Sequence, residues 1–280
     1  MKKSWILLVI LIPLVIVFLY IEPIPIINGG DWIYAFRPAA LALLQGLTPY
    51  GDIGTGFQFY NPPWALIPFI PLVLLPVKIS SLLMFISGFV AYSVILYKMK
   101  ARPLTSLFFM TSLPILADLQ YGNITWMALL GYLMPPQIGL FFVLMKPQIG
   151  AAVALYWLIE AWHRGKIREV IRVFLPVTIA IALSIIIFGP WYQTTSTVIG
   201  VDANVSLFPA SISIGLVLMT LAIQRRNIKL SYMVSPFLSP YICWNGYSTV
   251  LLGLVSSTTL TAVASIGYWI TIFIMAGIKG

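Results

Sequence analysis

NGGDWIYAFRPAALALLQGLTPYGDIGTGFQFYNPP, residues Asn28 to Pro63, is the one long polar stretch near the front of a chain that is otherwise mostly apolar. It follows directly on a hydrophobic run. An ionisable residue just beyond such a run is costly unless it stands in water or has a chemical role. Asp31 is that residue. The stretch is expected to be an outer loop, 27–63, at one membrane face, building a reaction site with Asp31 as its base. Within it, Asp31 to Leu44 reads as an amphipathic helix, with Gly30 and Asp31 at the cap and Gly46 ending it before Pro49. The plainer role for Asp31 is helix N-cap, because Asp before Trp-Ile-Tyr-Ala is a common start, and the two roles are compatible.

Composition sets the class around this loop. Hydrophobic residues make up 60% of the 280 positions and charged residues 8%, with a mean hydropathy of +1.00. A soluble domain of this size has nowhere to hide so much apolar surface, so the chain is expected to be all-α, a polytopic transmembrane bundle in a single domain, 1–280. The net charge of +9 does not point to nucleic acid, because the basic residues sit in short clusters between apolar runs. A lone Cys243 and a lone His163 exclude an intramolecular disulfide framework, a multi-cysteine metal site and a histidine-pair metal site.

The clusters give the expected topology. Lys2/Lys3, Lys98/Lys100/Arg102, Arg164/Lys166/Arg168/Arg172 and Arg225/Arg226/Lys229 hold twelve of the sixteen Lys and Arg residues. The positive-inside rule places each in the cytoplasm, with the N-terminus, in a cell (inner or plasma) membrane. Ser4 to Tyr20 is then an uncleaved first span running outward. Pro62 to Pro76 reads as a juxtamembrane helix, Ile79 to Tyr97 as an inward span and Leu104 to Ala117 as an outward one. Asp118 to Asn123 is an outer turn. Ile124 to Met134 and Gln137 to Met145 are each about half the ~20 residues of a span, so they read as a short hairpin that dips and returns. Ile149 to Trp162 runs inward, Val170 to Phe188 outward, and Gly189 to Ser206 is an outer loop. Leu207 to Ile223 returns, and Leu230 to Trp244 rises again. Thr249 to Lys279 holds one tilted span or two short ones. The repeat Pro136-Gln-Ile-Gly139 and Pro147-Gln-Ile-Gly150 needs no explanation beyond chance and helix geometry.

Asp31, Arg37, Asp52, Asp118, Gln120, Asn123 and Lys146 all fall on the outer side of this map. A cation there can hold a phosphate, and a carboxylate can take a proton from a hydroxyl. Each has a plainer reading as well: Lys146 as a snorkelling interface lysine, Arg37 as a headgroup contact, Asp118 and Asp202 as solvated loop residues.

Asp31-x-x-Tyr34, Gly46-x-x-Pro49-Tyr50 and Phe59-Tyr60-x-Pro62-Pro63 together resemble the first outer loop of the polyprenyl-phosphate-dependent mannosyltransferases of the GT-C fold, glycosyltransferase family 87. Gly122-Asn123 resembles a degenerate form of that family's Gly-Gln-x-Asn turn. Lys146-Pro147-Gln148 is similar to its Lys-Pro element, and Ser239-Pro240-Tyr241 to its late Ser-Pro-Tyr segment. The resemblance implies a GT-C-like bundle, a lipid-linked sugar donor, an acceptor hydroxyl, inversion at the sugar carbon and no cofactor. It makes Asp31 the general base and Lys146, with Arg37, the partner of the donor phosphate. Tyr34, Tyr50, Tyr60, Gln120, Asn123 and Gln148 would shape the substrate cavity. The chain departs from the family pattern between Asn123 and Lys146, which is compressed. It departs again at Asn245-Gly246-Tyr247-Ser248, where members often carry an acidic or histidine residue. These departures suit the alternative, a catalytically inactive GT-C-like subunit packed against a membrane partner. A transporter would call for ionisable residues in mid-span, and the sequence offers almost none.

Overall fold

A computed structural model describes residues 29–51, 54–193 and 203–279. The expected first span, Asp52 and Asp202 lie outside the described residues. All regular structure within them is helical, and three helices are long and apolar enough to cross a membrane.

The stretch read as a loop, 27–63, holds a π-helical turn, Trp32–Phe36, that continues into α1, Arg37–Leu44. Gly46 (φ +72°) ends it, as its sequence position suggests. Pro63–Phe69 forms a 3-10 helix continued by a short α-turn, Ile70–Val73, where the sequence predicts a helix, Pro62 to Pro76. Trp32, Phe36, Phe59 and Phe69 bury together with Met84, Ile124 and Met145. The loop is therefore a packed cap on the bundle, with its own aromatic core. Asn61 extends the docking by donating from Nδ2 to the Met145 carbonyl (2.6 Å).

Helix α2, Val77–Lys98, leaves the cap where the Trp32 indole donates to Ser80 Oγ (3.0 Å). It ends in the first described basic cluster. The return path, expected as one outward span from Leu104 to Ala117, is instead broken into α3, Pro103–Met110, and α4, Leu113–Tyr121, because Ser112 before Pro114 is extended and Pro114 supplies no backbone donor. Two short helices follow, α5, Thr125–Gly131, and α6, Pro136–Val143. At ~1.5 Å per residue each is far shorter than a ~30 Å hydrocarbon layer, matching the expected short hairpin.

Helix α7, Pro147–Phe188, is nominally 42 residues long. Drawn straight it would extend about 63 Å. Both ends nevertheless meet the same patch of the cap: Asn61 bonds Met145 just before it, and Trp64 packs edge-on against Trp191 just after it. The chain folds back at Gly165 (φ −155°) and Lys166 (φ 51°), in the middle of the second basic cluster. Two antiparallel arms result, as the pair Ile149–Trp162 and Val170–Phe188 anticipates. The repeat around Pro136 and Pro147 also gains a reason. Each proline opens a helix at a position whose N–H would have no partner anyway. Gly150 lets the second helix lie on the first: a Cβ there would sit 2.0 Å from the Val143 carbonyl oxygen.

Helix α8, Ile212–Gln224, ends in the third basic cluster. Lys100, Lys166 and Arg226, one from each described cluster, are the non-glycine residues with positive φ among the described residues. Basic side chains thus stand at turn positions that glycine would fill at ~1–2 kcal/mol less strain. One expectation fails here. Leu230 to Trp244 is not a single rising helix: Ile228–Tyr232 and Ser235–Leu238 are short turns, and an extended stretch leads to a 3-10 turn, Trp244–Tyr247. Pro236 and Pro240 account for the break: neither supplies a backbone donor, and Ser239, before Pro240, is extended (φ −86°, ψ 130°). The tail resolves into a short α9, Ser248–Leu254, and a long α10, Thr258–Lys279.

Candidate functional site

Two close backbone approaches build the site. Helix α4 ends on Gly122 in the left-handed region (φ +64°), and Asn123 N–H reaches back to the Asp118 carbonyl (3.0 Å). A Cβ on Gly122 would also stand 2.9 Å from the Trp32 Cβ, so only glycine suits both the turn and the contact. Gly29 N–H donates to the Gln120 carbonyl (3.0 Å) and fixes the start of the cap against the same turn. The result sets Asp31 beside Asn123.

Asp31 is not acting as a cap. Its backbone is already helical (φ −66°, ψ −38°) and its side chain makes no capping bond. Instead, its Oδ2 accepts a short bond from Asn123 Nδ2 (2.5 Å). Asn123 Oδ1 in turn accepts from Lys146 Nζ (2.8 Å), from Ile124 N–H (2.7 Å) and from Thr125 Oγ1 (3.2 Å). These three donors fix which way the amide faces.

Lys146 stands in the turn between α6 and α7, only 5% exposed. It does not snorkel to the interface but points inward, giving a second proton to Thr125 Oγ1 (2.8 Å). Asp118, expected in a solvated turn, is instead fully buried in α4. The Tyr92 hydroxyl donates to its Oδ2 (2.7 Å) and Thr125 N–H to its Oδ1 (3.3 Å). The ammonium of Lys146 therefore lies between two carboxylates, each one residue removed: Asp31 through Asn123 and Asp118 through Thr125. Burial pushes the Asp31 carboxyl above the usual carboxylate range, while the Asn123 bond and the Lys146 charge pull it back. Burial likewise lowers Lys146, against the pull of Asp118, Cys243 and Asp31.

The fourth wall was not legible as a site. Residues 204–206 run beside 239–242 and bond to them, with Val205 N–H to the Ile242 carbonyl (2.8 Å) and Ser206 Oγ to the Ser239 carbonyl (2.5 Å). This holds Tyr241 and Cys243, whose hydroxyl and thiol lie 3.0 Å apart, within electrostatic range of Asp31. The signals in the sequence were the Ser239-Pro240-Tyr241 segment and a cysteine that lacks any partner for a disulfide.

The remaining predicted residues divide. Tyr60 lies close enough to Tyr241 to influence it. Gln120 contributes its carbonyl to Gly29, at the edge of the site. The side chain of Gln148, half-buried in the first turn of α7, makes no hydrogen bond among the described residues. The other three residues point elsewhere. Arg37 directs Nη2 to the Val73 carbonyl (3.2 Å), closing the end of the Ile70–Val73 turn. Tyr34 is exposed and stacks on Phe57. Tyr50 donates to the Asn61 carbonyl (2.9 Å) and stacks on Trp191. It also borders a surface cleft of about 480 Å³ on α1, lined by Pro38, Leu41 and Gln45. Among the described residues no three His, Cys, Asp or Glu side chains gather to hold a metal ion.

A carboxylate, an amide and an ammonium in line can hold an anion at one end and accept a proton at the other. No family model, curated protein or solved structure matches this chain.

Proposed function

We propose that the chain is a GT-C-like membrane glycosyltransferase that moves a mannose-type sugar from a polyprenyl phosphate to an acceptor hydroxyl at the outer membrane face. The observation that carries this reading is the meeting of Asp31, Asn123 and Lys146 in one hydrogen-bonded group. These residues are far apart in the chain, and each matters to the reaction for a different chemical reason. The acceptor oxygen attacks the anomeric carbon as its proton passes to Asp31. The bond from that carbon to the phosphate oxygen breaks, the polyprenyl phosphate leaves with the electron pair, and the sugar carbon inverts. Lys146 has a third ammonium proton with no acceptor among the described residues, and in this reading that proton is the one offered to the leaving phosphate. Asp31, partly desolvated, is a stronger base than a carboxylate in water.

The second reading, a catalytically silent subunit bound to a membrane partner, is favoured by one specific observation. Lys146 is almost wholly enclosed, and the other proposed phosphate ligand, Arg37, is committed to backbone carbonyls. Asp31→Asn separates the two readings. It keeps the shape and an acceptor for Asn123 but removes the proton acceptor. Transfer from a polyprenyl-phosphate sugar, followed with reconstituted protein, is expected to fall by ~10²-fold or more. Unchanged transfer in the variant rules out Asp31 as the base, and no transfer in the wild type favours the silent subunit.

A further inference from the structure

Between Asp31 and Lys146 there is no direct ion pair within 4 Å, although both are largely enclosed and carry opposite charge. In a poorly solvated site such charges attract strongly. What stands between them is the Asn123 amide. Its NH₂ faces the carboxylate and its oxygen faces the ammonium, so both charges are solvated by one neutral group. Turning the amide over would set its NH₂ against Ile124 N–H and the Lys146 ammonium, so the donors already described exclude that arrangement.

We propose that Asn123 is a positioning residue that keeps Asp31 and Lys146 apart as two separately usable charges, preventing their collapse into a salt bridge. This deepens the functional reading above and rests on Asp31 and Lys146 being its working pair. A collapsed pair would be useless for that chemistry. The carboxylate would lose basicity to the adjoining cation, and the cation would be neutralised before any anionic ligand arrived. The spacer must be neutral, must have a donor at one end and an acceptor at the other, and must be rigid, which an asparagine held by its own following turn provides. The groups that face Asp31 are Asn123 and Lys146, with Tyr241 and Cys243 from the 239–243 segment; Asp118 faces Lys146 from the other side.

The test reads the protonation of Asp31 without needing sugar transfer. Dicyclohexylcarbodiimide reacts with protonated carboxyls in apolar surroundings, and peptide mass mapping separates Asp31 from Asp118. Labelling of Asp31 in the purified, detergent-solubilised chain is followed from pH 4 to 9. Asn123→Ala removes the spacer. Asn123→Ser keeps an oxygen for Ile124 N–H, guarding against a simple folding failure, but is too short to bridge. Both variants are expected to move the midpoint of labelling down by about 1–2 pH units, the effect of a direct cationic neighbour on a carboxyl. Adding Lys146→Met to either variant is expected to reverse the shift. If Asn123 were only a structural bond to Asp31, losing it would raise the midpoint, because that bond stabilises the ionised form. A midpoint that rises or stays put, or a fall that survives Lys146→Met, overturns the proposal. Because no donor or acceptor is present, that failure is distinct from a failure of the transferase reading.

Discussion

Lys146→Met replaces the buried ammonium with an apolar side chain of similar length, and its effect on stability follows from the geometry. The lysine gives bonds of 2.8 Å to Asn123 and Thr125, and it is the positive charge placed between Asp31 and the fully buried Asp118. Asn123 Oδ1 keeps two other donors in the variant, so the lost bonds alone are a minor cost. Most of the loss comes from the pair of enclosed carboxylates left without a counter-charge. Removing one partner from such a buried arrangement costs ~3–5 kcal/mol. A chain of this size loses ~2–4 °C of melting temperature per kcal/mol, so a drop of roughly 6–20 °C is expected at pH 7. A lysine that merely snorkelled at the surface would change stability by no more than ~0.5 kcal/mol, or about 2 °C. The assay is thermal unfolding of the purified protein in detergent, followed by fluorescence of its nine tryptophans. Asp118→Asn in the Lys146→Met background should recover part of the loss by removing one of the stranded charges. A single variant that melts within about 2 °C of wild type would refute the buried-cation account.

Two further outcomes follow. With Asp31 as the base, the transfer rate should rise with pH through an acid limb lying above the ordinary carboxylate range, because the base must be ionised and burial raises its pKa. Lys146 favours the ionised form, so Lys146→Met should move that limb to higher pH; a limb that stays in place would detach Lys146 from Asp31. For the topology, in a Cys243→Ser background, cysteines at Gly54 and Asn204 should react with an impermeant thiol reagent on intact cells and one at Gly165 should not. Outside labelling at Gly165 would invert the map, since that residue marks the turn of α7 among Arg164, Lys166 and Arg168.

Much of the helical layout follows from local chemistry, which is why it could be read directly. Prolines opening helices at Pro103, Pro136 and Pro147, glycines closing them at Gly46 and Gly122, and basic residues at the turns all act within a few residues of themselves. The two arms of α7 were visible for the same reason, as apolar runs on either side of Arg164 to Arg172. Leu230 to Trp244 misled because its hydropathy suits a span while Pro236 and Pro240 forbid a continuous one. Among the site residues, the sequence singled out Asp31 as an ionisable group just beyond an apolar run, a property of one residue and its neighbours, whereas Lys146 stood out only through its Lys-Pro resemblance beside a plainer snorkelling role. It placed Asp118 in water and left Asp31 open to a capping role, because neither burial nor partner is a local quantity.

Only the tertiary structure could decide those matters. Asp118 becomes a buried counter-charge once Tyr92, 26 residues earlier, and the Thr125 backbone close over it. Arg37 turns away from the site once the end of the Ile70–Val73 turn presents carbonyls that need donors. Cys243 comes within electrostatic range of Asp31 because residues 204–206 hold the 239–242 stretch in place. Sequence by itself determined where the chain is apolar, where it turns and which charges stand in costly places, because those depend on composition and on contacts a few residues apart. Which charges meet, and that an asparagine stands between two of them, depended on contacts such as the 92-residue separation of Asp31 and Asn123, which folding alone supplies.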